Sequence, residues 1–134
     1  MREIKFRGKS KSKGEWLYGD FITDTKEYNR TCDKVYILPY WDKLNCPVEV
    51  EGESVGQYTG LKDKNGREVY EGDIVWLYYN GFHDNEKAFE GEVIFEEGSF
   101  SLNKKDEYTC LHDGTGLTIA EVIGNVYENK ELLD

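Results

Sequence analysis

The chain has 134 residues, a formal net charge of −10, 38% hydrophobic and 14% aromatic residues, and only two prolines. That length suits one ordinary domain or two small ones sharing a core, and the aromatic share supplies enough burial to fold despite the polar average. It has no low-complexity run and no stretch of about 18 consecutive apolar residues, which excludes a disordered tail protein and a membrane-spanning helix.

The first 14 residues carry six basic side chains and one acid, a net of +5, and the remaining 120 carry −15. This opening has no apolar h-region, so a secretory signal is not expected and the chain reads as a soluble cytoplasmic protein. Ile4-Lys5-Phe6-Arg7 alternates apolar and basic residues, the period of a half-buried strand. Glu15 to Ile22 reads as its hairpin partner across a glycine-bounded loop at 8–14. Val35 to Leu38 is a third strand ended by Pro39, and residues 40–53 form an irregular crossing with a brief strand near Val48.

The next segment, GQYTGLKDKNGREVYEGDIV over 56–75, is dense in turn residues. Asn65-Gly66 is a strong turn signal, and Glu71-Gly72-Asp73 makes a corner into the buried-looking strand Ile74–Tyr79. Phe89–Phe95 and Ser99–Leu102 flank Glu96-Glu97-Gly98 as a hairpin. Residues 103–116 read as a polar connection with a short helical turn near Lys105–Leu111. Leu117–Tyr127 is the last strand. Helical periodicity nowhere exceeds about two turns, so the class is mainly β, a short-strand meander. The expected organisation is an N-terminal hairpin region over 1–54 and an SH3-like barrel region over 55–134, packed together because no flexible linker separates them.

Three blocks, R-E-I-K-F-R-G near the start, V-G-Q-Y-T-G-L-K-D-K-N-G-R-E-V-Y-E-G-D-I-V in the middle and E-V-I-G-N-V-Y-E-N late, resemble the YopX family in the same order, spanning Arg2 to Leu133. The resemblance implies a β-structured protein of temperate phages and prophages that self-associates. The family supplies no catalytic or ligand residue to carry over.

The residues themselves point away from enzyme chemistry. Glu71 and Asp73 are two carboxylates at a corner, where Asp commonly accepts a turn amide. The glycine loop at 60–66 lacks the ending of a phosphate-binding loop, and Asp63-Lys64-Asn65-Gly66 lacks the later ligands of a calcium loop. Cys32, Cys46 and Cys110 form no C-x-x-C pair, and His83 and His112 stand apart, so no metal or cofactor is expected. Cys110 and His112 would share a face if they lay on a strand, but they sit in a polar connection.

Binding is the better-supported reading. Trp16, Tyr18, Tyr36, Tyr40, Trp41, Tyr58, Trp76, Tyr78 and Tyr79 exceed the needs of a core this size, and some must reach the surface. Period 2 places Trp76 and Tyr78 on one face and Leu77 and Tyr79 on the other. The candidate interaction surface is therefore Trp76, Tyr78, Tyr79 and Tyr58, with Arg7, Lys9 and Lys11 from the basic arm. The expected partners are a second copy of the chain and a host or phage protein, with no membrane. Nucleic acid, touched through the basic arm, and mimicry of a nucleic acid by the acidic body are the alternatives. The arm's lysines also fit a plainer role, flanking a turn and pairing with acids of the same protein.

Overall fold

The structure, a computed structural model, describes residues 3–24, 34–41, 46–79, 87–111 and 118–133. The chain divides into two compact units, 1–58 and 59–134. Alternating side chains give both units their strands, because period 2 sends one set of residues to a core and the other to the opposite face.

In the first unit, β1 (Phe6–Lys9), β2 (Trp16–Asp24), β3 (Lys34–Pro39), β4 (Val48–Val50) and the start of β5 (Gly56–Lys62) lie in the order β4-β3-β2-β1-β5. The ladder Phe6↔Gly19, Gly8↔Leu17, Phe21↔Ile37 and Ile37↔Val48 aligns the apolar positions on one face. Leu17, Ile37 and Val50 form the buried centre there, with Phe6, Phe21, Val35 and Val55 packed around them. The second edge of β4 is also bonded: Glu51 donates its N–H to the Lys9 carbonyl at 2.9 Å and Lys11 donates to the Glu49 carbonyl at 3.1 Å. Gly19 permits the close β2–β3 approach, since a Cβ at this position would lie 1.8 Å from the Leu38 carbonyl oxygen.

In the second unit, the end of β5 runs beside β6 (Glu68–Tyr70), and a five-stranded sheet has the order β10-β9-β8-β7-β11. Its strands are β7 (Asp73–Tyr79), β8 (Lys87–Glu96), β9 (Ser99–Lys104), β10 (Glu107–Cys110) and β11 (Thr118–Asn125). The register Val75↔Val122, Leu77↔Ala120 and Val93↔Leu102 gathers these side chains on one face, where Val69 and Leu111 join the core.

The chain is mainly β, as expected; among the described residues the strands are antiparallel and the helical elements are two single 3-10 turns, Gly52–Ser54 and Lys130–Leu133. The two sheets are not closed, and their strand orders do not themselves establish the expected SH3-like barrel. Residues 103–111, the described part of the expected 103–116 connection, also differ from expectation. Instead of a helical turn, Lys105 and Asp106 make a tight turn and β10 pairs with β9 as Glu107↔Lys104 through Cys110↔Ser101. Glu-Tyr-Thr-Cys carries no apolar alternation, because three of its four residues face solvent.

Candidate functional site

The basic arm folds into β1 and the turn that follows it. Ser10 organises that turn: its hydroxyl accepts N–H bonds from Lys13 and Glu15, and its carbonyl accepts one from Gly14. The register Arg7↔Tyr18 and Lys9↔Trp16 puts cations and rings on one face of the sheet. The Arg7 guanidinium lies 4.9 Å from the Trp16 ring centroid, Lys9 Nζ 5.9 Å from the same ring, and Lys5 Nζ 4.9 Å from the Tyr58 ring. Such stacking holds a cation against an aromatic quadrupole while its alkyl stem covers apolar surface. Arg7 and Tyr58 are both buried, so neither presents its side chain to a partner in this arrangement. Lys11 pairs with Glu49 at 3.4 Å and Lys5 with Glu3 at 3.1 Å. The plainer role thus describes much of the arm: its lysines flank a turn and meet acids of their own unit.

The first unit exposes a different set of rings. Tyr40 donates its N–H to the Tyr18 carbonyl at 3.1 Å and its hydroxyl to the Ile4 carbonyl at 3.3 Å, so the three residues meet. Ile4 is 56% exposed, Tyr40 55% and Trp41, next in the chain, 68%. Tyr18 is exposed as well. Residues of this size at such exposure mark contact surfaces when they are contiguous rather than scattered. Sequence reasoning named Tyr18, Tyr40 and Trp41 among the surplus aromatics without ranking them above the others. What could have ranked them is Pro39, which ends β3 and leaves Tyr40 and Trp41 on the turn beyond it.

The β7 candidates lie in the second unit. Trp76 and Tyr78 share a face, as the period requires, with ring centroids 6.2 Å apart and edge-on. Lys64 Nζ lies 5.0 Å from the Tyr78 ring centroid and 3.1 Å from a Glu121 carboxylate oxygen. Burial, then the hydrogen bond and charge of Glu121, push the Tyr78 phenol above its ordinary range. These rings are half-buried and already engaged. The Tyr79 side chain lies outside the described residues, as do Cys32, His83 and His112. The candidates named from sequence therefore fall into two groups: Arg7, Lys9, Lys11 and Tyr58 in the first unit, Trp76 and Tyr78 in the second.

The acids of the 56–75 segment build turns. Asp63 Oδ1 accepts the N–H groups of Asn65 and Arg67, each at 2.9 Å, and its Oδ2 accepts that of Val122 at 3.0 Å. Burial pushes this carboxyl up, but the three backbone donors and the Arg67 charge together outweigh it and hold the group below its usual range. Asp73 is fully buried and accepts the Tyr70 N–H at 2.8 Å, the turn-amide bond expected of it. Thr59 donates its hydroxyl to the Val69 carbonyl at 2.8 Å. Glu71 acts at a distance, on Glu92. Burial first, then repulsion from Glu71, raises the Glu92 carboxyl above its ordinary range against the pull of Lys130.

Cys46 and Cys110 are exposed and neither is in a disulfide. Among the described residues no group of three or more His, Cys, Asp or Glu side chains could hold a metal ion. No described helix is long and apolar enough to cross a membrane.

Comparison with solved structures finds similarity to protein EF1440 from Enterococcus faecalis, with a TM-score of 0.54, 24% identity and full coverage of both chains. At that identity the likeness concerns the fold alone. No curated protein matches. The family model described as YopX protein matches residues 5–134, nearly the whole chain, including the turn-building segment and the paired β7 and β11 strands. The chain belongs to the YopX family.

Proposed function

We propose that this protein is a non-enzymatic binding protein that acts through protein–protein contacts and associates with its own copies. The setting that fits the reading is the bacterial cytoplasm, as an accessory protein of a phage or prophage. One observation carries it: Ile4, Tyr18 and Tyr40 form an exposed patch joined by the Tyr40 N–H on the Tyr18 carbonyl and the Tyr40 hydroxyl on the Ile4 carbonyl, with exposed Trp41 next in the chain. Tyr and Trp rings bury large area on association at low entropic cost, which is why such residues dominate interface energetics. The excess of acid keeps unrelated acidic surfaces and phosphate backbones away from the rest of the chain.

Sedimentation equilibrium across micromolar concentrations tests the reading. The wild-type mass should rise above the 15.6 kDa of one chain. The Tyr40→Ser/Trp41→Ser double variant should stay at one chain. A wild-type mass of one chain at every concentration would overturn self-association through this patch.

A second reading has its own observation, the alternation of Lys5, just before β1, with Arg7 and Lys9 on it, against the rings of Tyr58 and Trp16. Cations interleaved with rings are the elements of a single-strand nucleic-acid platform. A gel shift that disappears when Lys5, Lys9, Lys11 and Lys13 are neutralised would favour it. The −15 carried by residues 15–134 leaves mimicry of a nucleic acid as a further form of protein contact. Salt-sensitive capture of a DNA-binding protein would mark that form.

A further inference from the structure

The solvent face of the β8–β9–β10 meander has the makings of a receptor for positive charge. The register Glu96↔Ser99, Ile94↔Ser101, Ser101↔Cys110 and Asn103↔Tyr108 places Glu96, Ser99, Ser101, Tyr108 and Cys110 on one face. Val93 and Leu102 point to the core on the other. A cleft of about 430 Å³ opens on that outer face, lined by Glu96, Glu97, Ser99, Ser101 and Tyr108. The Tyr108 ring is 59% exposed beside it. Asp106 and Glu107 lie exposed at the adjoining turn and strand. The segment 95–110 thus carries four carboxylates against Lys104 and Lys105, and Lys104 is already bound to Glu90.

The edge of the sheet supplies a second, independent feature. Strand β10 is outermost, and among the described residues its ladder partner is β9 alone. An outermost strand offers main-chain donors and acceptors to any extended chain laid beside it. Sheet edges of this kind are used by peptides that add a strand, with alternate side chains reaching neighbouring pockets.

We propose that this edge and cleft bind an extended basic peptide, which lies along β10 and drops a Lys or Arg side chain between the Tyr108 ring and the Glu96 and Glu97 carboxylates. The ring face and the carboxylates attract the same cation, through its quadrupole and through charge-assisted hydrogen bonds. Charge identifies the occupant. A phosphate backbone is repelled by four carboxylates. A second copy pairing β10 on β10 would bring its Asp106 and Glu107 beside the acids of the first, where like charges on neighbouring strands repel. A basic peptide alone among these uses both the edge and the cleft. The site is separate from the aromatic patch of the first unit and does not depend on self-association through it.

The test is calorimetric titration of the full chain with a short synthetic peptide alternating Lys and Thr. A Glu/Thr peptide and a Lys/Thr peptide N-methylated at alternate residues serve as probes of charge and of strand addition. Binding should be saturable for the Lys/Thr peptide and absent for the Glu/Thr peptide. It should weaken at least about tenfold in Glu96→Gln/Glu97→Gln and in Tyr108→Ala, as expected for desolvated cation contacts. The N-methylated peptide should lose a similar factor. Glu51→Gln/Glu53→Gln, which removes the same charge from the first unit, should leave binding unchanged. Peptide-resolved alkylation of Cys110 should slow in the complex. All substituted positions but the partly buried Glu51 are exposed, and matching melting curves check that each variant is folded. No binding to the wild type, equal binding to the cleft variants, or equal loss in the Glu51/Glu53 control would each overturn the proposal. Undiminished binding of the N-methylated peptide would overturn the strand-addition part. A monomeric mass in sedimentation bears on the aromatic patch and leaves this outcome unaffected.

Discussion

The carboxylate of Asp63 receives the main-chain N–H of Val122, 59 positions away in the sequence. With its other oxygen holding Asn65 and Arg67, one buried side chain closes the 63–67 turn and fastens it to β11. Lys64 reinforces the junction by donating its N–H to the Ala120 carbonyl at 2.9 Å. The outer edge of β11 is thereby covered by a turn rather than left open.

Asp63→Ala should destabilise the protein by about 1–3 kcal/mol, because the buried Val122 donor and the two partly buried donors of Asn65 and Arg67 lose their acceptor together. Urea unfolding measures it. An effect under about 0.5 kcal/mol would show that water replaces the carboxylate without loss.

The same carboxyl sets a pH dependence. Its folded pKa is depressed, so the stability it contributes is present above its ordinary value of 3.8 and disappears as pH falls through the folded value. Wild type and Asp63→Ala should therefore converge in stability as pH drops below that range. Thermal melts between neutral and strongly acidic pH would reveal it.

Glu92 should behave in the opposite sense. Its carboxyl is raised by burial and by Glu71, so the charged form weakens the fold as pH rises through the folded pKa. Glu92→Gln should melt higher than wild type at neutral pH, and the advantage should vanish below the ordinary carboxylate value of 4.5. A lower melting temperature at neutral pH would mean that the carboxylate makes a favourable contact that the amide cannot.

Two glycines should respond differently to alanine. At Gly19 the new Cβ would overlap the Leu38 carbonyl, so Gly19→Ala should cost about 3 kcal/mol or more by forcing β2 and β3 apart. At Gly66 nothing lies within 4 Å, but φ is +80°, so Gly66→Ala should cost only about 1–2 kcal/mol of backbone strain. Chemical denaturation of both variants separates overlap from strain.

Lys105 is a lysine held at φ 57° in the β9–β10 turn. Lys105→Asn should stabilise the protein by about 0.5–1 kcal/mol, since Asn tolerates the left-handed region better. A neutral or negative change in unfolding free energy would show that the lysine side chain makes a compensating contact.

The elements legible in the sequence are those with one face in a core. Glu15–Ile22 and Phe89–Phe95 each send buried residues to a core, Leu17 in one and Val93 in the other; β2 starts at Trp16 and ends two residues beyond its stretch, and β8 begins two residues before its stretch and ends one after. The Asn65-Gly66 turn and the Glu71-Gly72-Asp73 corner were readable because glycine is required there: Gly66 and Gly72 have φ of 80° and 91°. Strand β10 was illegible because hydrogen bonding to β9, rather than burial, defines it. The aromatics were legible as a surplus but not as a location. Period 2 correctly paired Trp76 with Tyr78, yet only the fold distinguishes those half-buried rings from Tyr40 and Trp41, which face solvent. The reach of Asp63 to Val122 had no local signal at all, since its partner is a main-chain group common to every residue but proline.

The order β10-β9-β8-β7-β11 has a consequence for biosynthesis. Strand β7 must wait for β11, whose seven register partners on it run from Asp73 to Tyr79, while β8 is available almost at once. At a synthesis rate of about 5–20 residues per second, the second unit spends seconds with one side of β7 and one oxygen of the Asp63 carboxylate without its β11 partner. The first unit draws all of its ladders from the first 58 residues and is complete before that wait begins. A ribosome stalled near residue 110 would thus display a finished N-terminal unit joined to an unfinished sheet, and protease resistance of the nascent chain should appear in two steps.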